Sequence, residues 1–599
     1  MRICLLLAFL FGSLSAMART YDYEMRWNEE RPHTFFVKLT TQSQNTDYTD
    51  FYINAWRPGR YILWNYSAGV ITFEARAAKG SPLKWRKVDK DVWRVFHDNS
   101  VKDIEVNYSY YGFRDDAGGN IADDKVCYFN PVCFFMNVGK DYTAPCTLKV
   151  PDLKKNWKVA SALKKTKEHN VFTAKDYHDF VDCPTIFAKE LTQFESEVDG
   201  FKFYVHFYGK YQVPKGEEKN FLTNLGKIIK EQKAVFGEIP ADEHHFIYFL
   251  SSKPIRHAVE HLRSSMYYMP ESVAENEKSL GGLYSISSHE FWHVWNIKSL
   301  RPASLYPYDY TKEHHTGLHW FTEGVTDYYA DLILARIGLM TPENFLKDQA
   351  NNIASMENSY APRVISPEQS SADSWLGTSE FYVHFLRTSF YPLGTRVALL
   401  IDFELMKLSQ GKYTFDDVFR LLYKKYYKQN QGIPEDGVQQ ALEELTGKSW
   451  ESFFEKYIRG TEKIDYQAFV QPVGLDVQIS NDPNVPNNRL RPIGVSAIEK
   501  IPDGIYIRAV MPESDAQKAG IFDQTLIIEI GGKPAGEVFN TLEIKEGDIL
   551  DMKVVSTTSE EEPKKIKVKC SGKNVVKAYA FQPNGKSEQW KQLLSPRAK

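Results

Sequence analysis

The chain has 599 residues, 43% hydrophobic and 25% charged, with 74 Lys and Arg against 77 Asp and Glu. At roughly 100–200 residues per domain, that length predicts three or four domains with ample core. A net charge of −3 without a long basic run argues against nucleic acid as the main partner, and 14% aromatics with mean hydropathy −0.43 exclude disorder as the global state.

The N-terminus reads as an export signal. Arg2 is a minimal positive region, Ile3 to Phe11 are apolar throughout, and Ala16-Met17-Ala18 offers a small-x-small cleavage site. Residues 1–18 are therefore expected to be removed, leaving a mature chain from Arg19 in the periplasm or outside the cell. No later apolar stretch approaches the ~20 residues of a membrane span. Cys127, Cys133, Cys146 and Cys183 cluster, with Cys570 far away. An oxidising compartment allows one or two bridges among the four, and buried free thiols fit as well.

Residues 19–212 read as an antiparallel β domain. Alternating runs such as Phe35–Leu39, Val92–Phe96 and Ile104–Tyr108 lie between Pro, Gly, Asn and Asp clusters. Trp56-Arg57-Pro58-Gly59-Arg60-Tyr61 reads as a tight turn between strands.

From 213 to 466 the apolar period becomes helical, at Phe221–Val235, Leu283–Leu300, Trp320–Ile337 and Thr395–Leu408. Pro302 is expected to close the second helix and Gly338 to cap the third. On the second stands His289-Glu290-Phe291-Trp292-His293. Histidines four apart leave a helix from one face, as two nitrogen ligands of one Zn²⁺ must, with Glu290 beside the open coordination position. A third ligand has to come from another element, and Gly and Pro within 301–318 let the chain turn back. Glu323 then fits as ligand and Asp327, one turn on, as acceptor from the free nitrogen of a ligand histidine. The plain alternative is a solvated acidic stripe. His314, His315 and His319 are rival ligands.

His289 to Lys298, Arg301-Pro302 and Trp320 to Thr326 together resemble the glycyl aminopeptidase family of zinc metallopeptidases. Trp56–Tyr61 looks like that family's turn in the first domain, and Asp503–Arg508 and Ala519-Gly520-Ile521 like two stretches of a PDZ core. The resemblance implies a multidomain α+β chain: an N-terminal antiparallel β domain, a thermolysin-like, mostly helical catalytic domain and a C-terminal PDZ-like domain at 473–580. It implies one zinc per chain and peptide substrates. Glu290 is then the general base acting on a zinc-activated water, and Tyr391 of Tyr391-Pro392-Leu393-Gly394 the oxyanion donor, although Leu393 replaces a lysine. His257-Ala258-Val259-Glu260-His261 is similar to the family's substrate-receiving edge strand, with Glu260 at the free amine and His257 and Ala258 in place of two glycines. Those two side chains leave the preference for N-terminal Gly or Ala open.

Within the PDZ-like domain, Ile493, Gly494 and Val495 match the loop and strand that capture peptide C-termini, although Glu513 and Asp523-Gln524 depart from the usual residues. A domain that only shapes the cleft is the other reading. Asp482–Asn488 is expected to be a loop, and 581–599 a polar tail, mobile or docked. Two further functions stay open beside the exported aminopeptidase. One is a zinc endopeptidase, or a peptidase of altered specificity. The other is a silent peptide-binding scaffold, for which four intact site residues are superfluous.

Overall fold

The computed structural model describes residues 19–27, 30–44, 47–78, 80–210, 216–274, 277–376, 386, 388–481, 488–557 and 562–598. The expected signal at 1–18, the 212/213 boundary and most of the Asp482–Asn488 loop lie outside them. No helix among the described residues is long and apolar enough to cross a membrane. The chain forms two compact units, one of Met1–Arg57 with Trp64–Leu191, the other of Pro58–Leu63 with Thr192–Lys599.

The first unit is built of three sheets of seven, four and four strands. Its strands alternate as expected: in Thr34–Gln42 the side chains of Phe35, Val37 and Leu39 are buried while their neighbours are more exposed. Pairing is mostly antiparallel, but Tyr21–Trp27 runs parallel to Cys146–Lys149. That correction involves partners over a hundred residues apart, which alternation cannot register. Buried tyrosines hold the irregular stretch between strands: the hydroxyls of Tyr23, Tyr108 and Tyr177 donate to the carbonyls of Met136, Phe134 and Phe135 at 2.6, 2.8 and 2.6 Å. Cys127, Cys133, Cys146 and Cys183 are buried free thiols, as is Cys570 in the other unit. Burial pushes the Cys133 thiol up to about 11.

The second unit opens with a five-stranded sheet of β1 (Leu191–Val198), β2 (Phe201–Tyr208), β3 (Glu243–Ser251), β4 (His257–Glu260) and β5 (Ser264–Pro270). The order is β1-β2-β3-β5-β4, with β4 an antiparallel edge strand on β5. Four helices position the site: α1 (Glu218–Phe236), α2 (Glu277–Trp292), α3 (Val325–Arg336) and α4 (Phe390–Ser409). Aromatic packing joins them, with Trp292 of α2 stacked on Tyr329 of α3 at 4.1 Å between centroids.

Helix α2 ends at Trp292, eight residues short of the expected Leu300. Ile297 takes φ +93°, a left-handed conformation that stops a helix, and the Lys298 N–H bonds the His293 carbonyl at 3.0 Å. Buried Asn296 holds the turn by donating to the Phe321 carbonyl at 2.9 Å and to Thr326 Oγ1 at 3.0 Å. Pro302 lies beyond the break. Apolar periodicity runs through residues 293–300 because this turn is itself buried.

After the helices, Leu475–Asn481 pairs antiparallel with Lys577–Pro583 in a two-stranded ribbon. A separate sheet of Val495–Ile501, Gly504–Val510, Thr525–Ile530, Ile549–Ser556 and Lys564–Lys569 lies between them in sequence, with Lys533–Pro534 added at Thr525–Ile530. The ends of the expected 473–580 module thus leave its sheet and form the ribbon.

The tail is docked. Trp590 and Leu593 of a short helix at Gln589–Leu593 are buried. Arg597 donates to Asp416 Oδ2 at 2.7 Å, and the N–H groups of Arg597 and Ala598 donate to the two Glu231 oxygens at 2.7 and 2.9 Å. Asp416 is fully buried and also pairs with Arg336 at 3.0 Å. Burial pushes the Asp416 carboxyl up, but the guanidinium groups of Arg336 and Arg597 outweigh it and hold it below the usual range. Such a group contributes stability that is complete above the unfolded value of about 3.9 and is lost as pH falls through the folded one. Asp416→Asn is expected to cost about 3–5 kcal/mol at neutral pH, read from a urea midpoint. The gap from wild type should close only below about pH 4. Equal midpoints at neutral pH would remove this network from what holds the tail.

Candidate metal centre

Four pieces of chain converge on α2. His289 lies in its last turn and His293 just past its end, with their Nε2 atoms 3.0 Å apart. Glu323 comes from Trp320–Gly324, a π-helical turn leading into α3, and its Oε2 is 3.4 Å from His293 Nε2. One ligand atom from each of the three lies within 4.8 Å of the others. Both imidazoles are oriented from behind. His289 Nδ1 donates to Asp327 Oδ1 at 2.8 Å, and His293 Nδ1 to the Asn296 carbonyl at 2.8 Å. Each Nε2 lone pair therefore faces the other ligands. Donors on a tetrahedral zinc at about 2.1 Å stand roughly 3.4 Å apart, so the set fits that ion.

The electrostatics agree. Burial lowers the His293 ring, but Glu323 outweighs it, with Glu260 and Glu290 adding, and holds the ring up at about 10. Burial in turn raises Glu323, and His293, with the other rings, brings it down to about 2. A buried carboxylate kept ionised beside two rings suits a bound cation.

Glu290 is buried, and its Oε2 has no hydrogen-bond partner among the described residues. Burial, with Glu260 and Glu323 adding and the two histidines opposing, raises it to about 7. Glu260, at the end of β4, is likewise buried, with Oε1 unpartnered among the described residues, and groups with Glu290 and His293. His257 and Ala258, earlier on β4, line a cleft of about 580 Å³ together with His289, Glu290, Asp331 and Tyr391.

Tyr391 lies in the first turn of α4, which begins before the motif that was expected to precede it. Its ring is 6.3 Å from that of His289. Burial, then Glu323 and Asp327, push its hydroxyl well above the usual phenol value, so it is a donor. Two glycines set the approach of α4: a Cβ on Gly394 would lie 2.1 Å from the Trp320 carbonyl oxygen and 2.8 Å from Gly324 Cα.

The rival histidines stand apart from the ligand set. His314 Nε2 bonds the Asp309 carbonyl at 2.8 Å, and His315 Nδ1 lies 3.2 Å from the Ala372 carbonyl. Buried His319 is lowered to about 4 by burial and stacks on Tyr61. Sequence reading missed three contributors: the Asn296 carbonyl, the Gly324–Gly394 contact and Tyr61. The first two lie in motifs already noted, and Tyr61 in a stretch read only as a turn.

At the C-terminal module the expected peptide loop is a short 3₁₀ turn at Arg491–Ile493. The N–H groups of Ile493, Gly494 and Val495 bond the carbonyls of Leu490, Arg491 and Leu490 at 3.2, 2.9 and 3.4 Å. All three are engaged within their own turn.

The three side chains converge as the ligands of one metal ion do. Residues 22–189 match the Peptidase M61 N-terminal domain, and residues 282–397 match M61 glycyl aminopeptidase. The chain carries both M61 peptidase segments and is a zinc-dependent metallo-aminopeptidase. The crystal structure of an aminopeptidase N family protein from Idiomarina loihiensis shares its fold, at 22% identity and TM-score 0.82, over 96% of this chain and 100% of that one. An M1 zinc metallopeptidase from Deinococcus radiodurans aligns at 13% identity and TM-score 0.46, over 76% of this chain and 97% of that one. A search of curated proteins returned no match.

Proposed function

We propose that this aminopeptidase is exported and releases single N-terminal residues from peptides, with His289, His293 and Glu323 holding zinc. The reading rests on one observation above the rest: two Nε2 atoms and a carboxylate converge beside a buried glutamate whose Oε2 has no partner among the described residues. Zinc bound there supplies Lewis acidity toward water and the scissile carbonyl. Glu290 Oε2 takes the proton of the attacking water and returns it to the leaving nitrogen, so that the C–N bond breaks with a neutral amine departing. The Tyr391 hydroxyl donates to the oxyanion that forms as the carbonyl is attacked. The Glu260 carboxylate takes the substrate's ammonium group, which fixes the register at one residue from the N-terminus. His257 and Ala258 bring side chains to the strand edge along which the peptide lies and so tune which residues are accepted.

Domain limits of 19–212, 213–466 and a PDZ-like module within 473–580 belong to this reading. For that module, a short helix at Asp515–Lys518 capped by Ser514 supports the fold, and the engaged loop N–H groups favour a role in shaping the enzyme over terminus capture.

The test is metal analysis and hydrolysis on the same preparation, using Gly, Ala and bulkier amino-acid amides with N-acetylated peptides as controls. About one zinc per chain and chelator-sensitive release of free N-terminal residues is the expected result. Cleavage confined to blocked peptides would make the enzyme an endopeptidase. Zinc-free, inactive protein would reject the site. N-terminal sequencing of the exported protein checks Arg19 as the first residue.

A further inference from the structure

The segment Pro58–Leu63 counts with the second unit, although the residues on either side of it belong to the first. Its Tyr61 is buried, and its hydroxyl donates to Glu323 Oε1 at 2.9 Å across 262 positions of sequence. The ring lies on that of His319, with centroids 3.7 Å apart and planes at 29°, and meets Trp375 and Phe390 edge-on. The hydroxyl is thus held by packing on the ring. Gly59 explains how the turn gets in: it takes φ +78°, and a Cβ there would lie 2.5 Å from Glu260 Oε2. Backbone without a side chain passes directly against that carboxylate.

We propose that Tyr61 is a positioning residue of the metal centre, fixing the Glu323 carboxylate by one oxygen so that the other is presented to zinc. A glutamate ligand on a buried turn has two oxygens and a free terminal torsion. Left alone, it can rotate, or offer both oxygens to the ion. The Tyr61 hydroxyl occupies Oε1, while Oε2 is the oxygen facing His293. Asp327 and the Asn296 carbonyl do the same for the two imidazoles, so each of the three ligands has a partner behind it. On this account the helical domain does not carry a complete centre by itself, because one orienting group arrives on the loop before Leu63. The inference rests on the zinc-site reading given above.

The test compares full-length wild type with Tyr61→Phe, which keeps the ring and removes the hydroxyl. Zinc affinity by chelator competition should weaken 10–100-fold. The visible spectrum of the cobalt-substituted protein should change as the carboxylate is freed, and the metal-free melting temperature should stay where it is. Unchanged affinity with an unchanged cobalt spectrum would overturn the proposal. So would a fall in melting temperature equal in the metal-free and zinc-loaded forms, the mark of a purely structural role. In a Glu323→Asp background, where the shortened acid no longer reaches the hydroxyl, Tyr61→Phe should add little further loss. Full additivity would count against the proposal. Wild type that takes up neither zinc nor cobalt would overturn the zinc site itself, whereas a change confined to Tyr61→Phe concerns this inference alone.

Discussion

Glu290→Gln is expected to retain zinc and lose about 10²–10⁴-fold in kcat. The substitution preserves shape and removes only the proton-accepting oxygen, so His289, His293 and Glu323 keep their orienting partners. Glu290 suits the role for a reason visible in its surroundings. Burial raises it to about 7, and Oε2 has no donor among the described residues to satisfy it. A carboxylate already bonded to the protein would be a poor base toward substrate water. Rates are read on an amino-acid amide, with metal content measured on the same sample. Wild-type turnover with zinc in place would remove Glu290 from the chemistry. Loss of zinc along with activity would mean the variant had disturbed the ligands, and an additional Glu290→Ala comparison of metal content would locate that effect.

The second large effect is expected at a residue that touches no substrate. Gly394→Ala forces a methyl group to within 2.1 Å of one backbone atom and 2.8 Å of another, and backbone cannot swing aside as a long side chain can. Helix α4 has to move away from the turn that carries Glu323. Overpacking of this kind costs about 1–3 kcal/mol. Displacing Tyr391 by about 1 Å is enough to lower kcat by roughly 10²-fold. Tyr391→Phe is the companion measurement. It should lower kcat by about 10²–10³-fold with the melting temperature unchanged, since only an oxyanion donor is lost. Gly394→Ala should move both quantities. If it left the melting temperature and rate as in wild type, the close contact would have no part in setting the site.

What could be read from the residues, and what could not, follows the range of the interactions involved. His289 and His293 declare themselves because a helix brings positions four apart to one face. Glu323 and Asp327 follow the same rule one element later. Strands such as Thr34–Gln42 show in their alternation, and the edge position of His257–Glu260 is consistent with its short run between turn residues. The end of α2 does not show in the sequence because buried turns and buried helices are equally apolar, and the break is set by Ile297 and by Asn296 reaching another element. The tail reads as polar because its composition outweighs the few apolar side chains, Phe581, Trp590, Leu593 and Leu594, that anchor it. Tyr61 is the extreme case. Nothing local in Trp56–Tyr61 distinguishes a surface turn from one whose tyrosine meets a carboxylate far along the chain.

The bonds from Arg597 and Ala598 to Glu231 have a consequence for how the protein is made. Those partners are 366 and 367 positions apart. At about 5–20 residues per second, the ribosome needs roughly 20–70 s to supply the N–H groups after Glu231 has been added. Throughout that interval the α1 carboxylate lacks these two N–H donors and has the Arg336 guanidinium, 3.9 Å away in the finished fold, as its earlier partner. Protease sensitivity around α1 should therefore fall further once Arg597 and Ala598 have been added to the chain.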